Sequence, residues 1–74
     1  MTLSKLKRAQ KARITQLPSD FFLSGKLIEQ GFVPNSEVYL AHKAPFNGPM
    51  AFYLHGTKVC IQQNIAALIQ IEVY

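Results

Sequence analysis

Glu37-Val38-Tyr39-Leu40-Ala41-His42-Lys43-Ala44-Pro45-Phe46-Asn47-Gly48-Pro49-Met50-Ala51-Phe52-Tyr53-Leu54 decides the fold. Val38, Leu40 and His42 fall on one side of the first run, and Glu37, Tyr39, Ala41 and Lys43 on the other. Met50, Phe52 and Leu54 share one side of the second. A period of two marks a half-buried strand, because successive side chains leave a strand on opposite faces. Asn47-Gly48 between two such runs is a hairpin signal, since these residue types accept the positive φ of tight turns. Pro45 and Pro49 stiffen the loop. Strand parity predicts that His42 points inward.

Working outward, His55-Gly56-Thr57 allows a second tight reversal. Val59 and Ile61 then continue the inward set, with Lys58, Cys60 and Gln62 opposite. Asn64 to Ala67 has room for one helical turn, and Ile69, Ile71 and Val73 form a closing strand. Upstream, Gln10 to Leu17 alternates, with Ala12 and Ile14 inward and Arg13 and Thr15 outward. Pro18-Ser19-Asp20 breaks that strand. Either Asp20 or Ser24 can cap a following helix by offering a side-chain oxygen to free backbone N–H groups. Leu23, Leu27 and Ile28 share a helical face. Gly31 fits the left-handed residue that ends a helix, with Phe32 folding back onto it. Pro34-Asn35-Ser36 is a turn by composition. The result is mainly β: five short strands, with one helix inserted between the first two. Short strands at close spacing favour a small barrel, which removes exposed edges.

Seventy-four residues allow one domain, residues 1–74, with a small core. A single cysteine excludes an internal disulfide and fits a reducing compartment. No stretch approaches the roughly 18 apolar residues of a membrane span, and no apolar run follows the charged start as in a signal peptide. The chain is therefore expected to meet a membrane only at its surface or through a partner. Net charge is +4, and five of the eight basic residues are Lys5, Lys7, Arg8, Lys11 and Arg13. Such a cluster serves either as a nucleic-acid or anionic-lipid patch or as a solvated first strand with its lead-in. The second is favoured, because no aromatic residue is interleaved for base stacking.

The motifs, in order, resemble the ferrous iron transport protein A (FeoA) family. Thr2-Leu3-Ser4-Lys5-Leu6 is similar to its opening. Lys26-Leu27-Ile28 followed by Gly31-Phe32-Val33-Pro34 resembles its helix ending in a Gly-hydrophobic-x-Pro turn. Lys43-Ala44-Pro45-Phe46 with Gly48-Pro49 resembles its hairpin loop, and Ala67-Leu68-Ile69 with Ile71-Glu72-Val73 its closing strand. Two positions where that family usually has Gly are Ala9 and Asn35. The resemblance implies a five-stranded SH3-like barrel and a cytoplasmic bacterial protein of iron homeostasis. It also implies association with the membrane ferrous-iron transporter FeoB, so that the chain reaches the inner membrane through its partner. The alternative is a small basic SH3-like barrel that binds nucleic acid, which the basic N-terminal third supports, or an iron-dependent regulator, since similar domains occur fused to iron-dependent repressors.

No catalytic pattern is present. Cys60 lies mid-strand between Val59 and Ile61, where a thiol packs as a small buried group. There is no phosphate-binding loop for nucleotide hydrolysis. His42, His55 and Cys60, even with Glu37 or Glu72, lack metal-ligand spacing. No cofactor, metal site or nucleic-acid partner is expected. Phe21 and Phe22 exceed what one short helix buries, so they either plug the barrel end or leave a partly exposed groove for a partner. The partner surface is placed on Phe22, Leu23, Lys26 and Leu27 of the helix and on Phe46 and Pro49 of the hairpin loop.

Overall fold

Ala12 and Ile14 point into the core from the first strand, β1 (Lys11–Gln16). In the computed structural model, which describes residues 1–74, the strand is followed by α1 (Phe21–Gln30), β2 (Glu37–Lys43), β3 (Met50–Leu54) and β4 (Thr57–Ile61). A single turn, α2 (Gln63–Ala66), and β5 (Gln70–Val73) complete the chain. A 3₁₀ turn at Leu3–Lys5 precedes them all. The strands form one antiparallel sheet in the order β4-β3-β2-β1-β5. Ile61 of edge strand β4 and Ile71 of edge strand β5 belong to one core with Phe32, Phe52, Met50 and Leu54, so the sheet curls round on itself. Phe32 and Phe52 meet edge-to-face at its centre, 6.4 Å between centroids.

Asp20 starts α1: its Oδ1 accepts from the N–H groups of Phe22 (3.0 Å) and Leu23 (3.2 Å). Gly31 ends it at φ 107°. The Gly31 N–H donates to Ile28 O and the Phe32 N–H to Leu27 O, the paired bonds that satisfy the last free carbonyls of a helix. Both β1 and β3 end near α1, since Gly31 lies against Leu54 and His55. The β2–β3 loop is at the other end of the sheet.

Three details depart from the sequence pattern. First, β2 carries an irregularity between Leu40 and His42, with Leu40 opposite Phe52 but His42 opposite Ala51. The extra residue reverses the parity, so His42 is exposed on the outer face rather than inward. Second, Cys60 is exposed, because β4 is an edge strand whose outer face nothing covers. Third, the hairpin turn is centred on Phe46 (φ 58°) and Asn47 (φ 60°), not on Asn47-Gly48. Pro49 has no N–H with which to close a Phe46–Pro49 turn, so the turn closes one residue earlier, Gly48 N–H to Pro45 O at 3.1 Å. Gly48 is still required: a Cβ there would lie 2.7 Å from Ala44 Cβ.

Ala9 (φ 66°) and Asn35 (φ 71°) are both left-handed. Asn accepts that conformation readily, whereas for Ala it costs about 1–2 kcal/mol. Ala9→Gly should therefore stabilise the fold. The gain is about 0.5–1 kcal/mol after the greater chain entropy of Gly is subtracted. It is read as a raised urea midpoint at unchanged slope; an unchanged or lowered midpoint would contradict the strain.

Candidate functional site

The outer face of α1 is the more apolar of two exposed surfaces. Its N-terminal turn is tied down by Asp20 and by the Ser24 hydroxyl, which donates to Pro18 O. Leu27 is turned into the core and Leu23 packs against it, so the opposite face is left to solvent. Phe21 is 85% exposed and Phe22 82%, their rings edge-to-face at 6.0 Å. Neither plugs the barrel. Ile28 is half-exposed, and Gly25 between these side chains has nothing within 4 Å of where a Cβ would be. Lys26 is exposed and makes no ion pair. Of the predicted docking residues on the helix, Phe22 and Lys26 are available, Leu23 is half-buried, and Leu27 is a core residue that no partner can touch.

The second surface is the β2–β3 loop. Phe46, at its tip, is 99% exposed, and Pro49 is exposed beside it. The loop is braced by Ala44 N–H to Pro49 O and by Gln63 Nε2–H to Gly48 O, each 3.1 Å. Loop and helix do not adjoin: they lie at opposite ends of β3, whose five residues span about 13 Å between the first and last Cα. The predicted docking set thus divides into two surfaces.

The basic residues divide as well. Lys11 Nζ is 3.1 Å from Glu37 Oε2, and Arg13 is 3.2 Å from Glu72 Oε2 and donates to Asn35. The hydrogen bond to the Glu37 carboxylate and its charge hold the Lys11 amine above its ordinary pKa. Tyr39 and Tyr74 face the same amine at 5.9 and 5.6 Å, aromatic partners that the sequence places far from it. These two cations are structural. Lys5, Lys7 and Arg8, by contrast, line a cleft with Lys43, over Leu6 and Leu40. This gathering was not legible in the sequence, because it depends on the 3₁₀ turn lying beside the end of β2. His42, His55, Cys60, Glu37 and Glu72 do not converge: no three of the chain's His, Cys, Asp and Glu side chains form a possible metal cage. His55 Nε2 instead lies 3.2 Å from Ser36 Oγ.

The FeoA domain model matches residues 1–73. The chain belongs to the FeoA family. No match is found among the curated proteins. Among solved structures, iron(II) transport protein A from Clostridium thermocellum is 33% identical with a TM-score of 0.92. It is matched over 99% of this chain but only 45% of its own. A FeoA-like protein from Clostridium acetobutylicum is 25% identical with a TM-score of 0.86, over 99% of this chain and 85% of its own. FeoA from Stenotrophomonas maltophilia is 25% identical with a TM-score of 0.77, over 97% of this chain and 89% of its own. That protein was solved with zinc and is described as a procaryotic SH3 domain protein, a candidate activating factor of ferrous iron transport. The five-stranded sheet of this FeoA domain is accordingly an SH3-like barrel. The donor set here does not fit a zinc cage, since three ligands do not meet.

Proposed function

We propose that this FeoA domain is a non-enzymatic accessory protein of bacterial ferrous iron uptake, cytoplasmic, docking on the membrane transporter FeoB through the outer face of α1. The observation that carries this is the exposed Phe21-Phe22 pair beside the unpaired Lys26. Interfaces draw most of their energy from a few aromatic anchors ringed by polar groups. Membership of the FeoA family and the likeness to iron(II) transport proteins support the iron-uptake assignment. No helix is long and apolar enough to cross a membrane, which agrees with membrane contact through a partner.

The test is saturable binding of the purified chain to membranes containing FeoB, against membranes lacking it. Lys26→Glu is expected to weaken the FeoB-dependent binding severalfold at low salt. The difference should shrink as salt rises, because exposed charges are screened beyond about 10 Å at 0.1 M. Equal binding to membranes with and without FeoB would refute the assignment.

A further inference from the structure

Lys5, Lys7, Arg8 and Lys43 line one cleft at the loop end of the barrel, and none of them forms an ion pair. The four acidic side chains are elsewhere: Glu37 and Glu72 are held by Lys11 and Arg13, and Asp20 and Glu29 belong to α1 and its cap at the far end. The cleft is therefore lined by four cations with no acidic side chain among its lining residues. Ser4 borders both this cleft and the adjoining one lined by Asn47 and Pro49, which joins the basic residues to the hairpin loop. There the 99% exposed Phe46 is held out from the barrel in a left-handed conformation by a braced turn between two prolines.

Cations and one projecting aromatic side chain are the two elements of weak, reversible attachment to an anionic bilayer. Basic residues are drawn to anionic headgroups, and an exposed Phe side chain gains by burial at the boundary between headgroups and acyl chains. Each contribution is small alone, and the two add to a weak, salt-sensitive attachment. Single-stranded nucleic acid would instead require several aromatic platforms along a basic groove, whereas this end offers one ring on a loop tip.

We propose that the loop end of the barrel docks on anionic lipid, with Lys5, Lys7, Arg8 and Lys43 toward the headgroups and Phe46 inserted among them. This goes beyond the transporter assignment and does not depend on it, because the transporter-docking face lies at the other end. The test uses the full chain and vesicles free of any transporter. Vesicles containing phosphatidylglycerol should sediment the protein at low salt, and vesicles of phosphatidylcholine alone should not. Lys7→Glu with Arg8→Glu should weaken binding at least about tenfold, while Lys26→Glu should leave it unchanged. The chain has no Trp, so Phe46→Trp gives a single reporter whose emission should shift to shorter wavelength on the anionic vesicles. All these side chains are exposed, and unchanged circular dichroism will confirm that the variants fold. Absence of binding to the anionic vesicles overturns the proposal. So does vesicle binding that leaves the F46W emission unshifted, or tighter binding to a single-stranded oligonucleotide than to the vesicles.

Discussion

Leu3→Ala is expected to lower the stability of the barrel by about 3 kcal/mol, within the ~2–5 kcal/mol range of Leu truncations in packed cores. Leu3 is fully buried, its N–H donates to Ile69 O at 2.9 Å, and Leu6 is buried one turn later. The Ile71 N–H donates to Met1 O at 2.8 Å, and Thr2 bridges Gln70. Leu3 and Leu6 are thus part of the core, and the segment that carries them is tied to the closing strand by backbone hydrogen bonds. A domain of this length has roughly 4–11 kcal/mol of stability in all, so truncating one core side chain removes a large share. The melting temperature should fall by roughly 12–24 °C, at the 4–8 °C per kcal/mol of domains this small. Exposed Lys5→Ala is the matched control and should move it little. A Leu3→Ala variant melting with the native chain would mean that the segment merely rests on the barrel.

Nothing in the sequence marks Leu3 and Leu6 as core. Two apolar residues three apart among lysines set up no period, so the segment resembles a charged lead-in. The strands were legible where alternation runs on undisturbed: Ala12 and Ile14, Met50, Phe52 and Leu54 all point inward as their spacing requires. The start and stop of α1 were legible too, because Asp20 and Gly31 act through their own chemistry on neighbouring backbone groups. The irregularity beyond Leu40 was not, since one extra residue in a strand changes every later orientation and leaves no compositional trace. For that reason alone, simple alternation puts His42 on the wrong face. The turn at Phe46 was decipherable in principle from the missing N–H of Pro49. Of the docking set, amphipathic spacing put Leu27 on the correct inward stripe, yet it cannot tell a core residue from a contact residue. That distinction needs the barrel.

The same helix supplies the sharpest functional contrast. Phe21→Ala with Phe22→Ala should weaken binding to FeoB-containing membranes by at least about 2 kcal/mol, roughly thirtyfold, the scale of an aromatic hot spot. The fold should be unaffected, within about 0.5 kcal/mol, because both rings already face water. Leu27→Ala removes a core side chain from the other face and should lower the melting temperature first. Any loss of binding in that variant should recover at temperatures where it is folded. Measuring binding and melting together therefore separates docking from folding at positions five and six residues apart on one helix. Transporter-dependent binding that survives loss of both phenylalanines would remove α1 as the docking face, whatever the effect of Leu27→Ala.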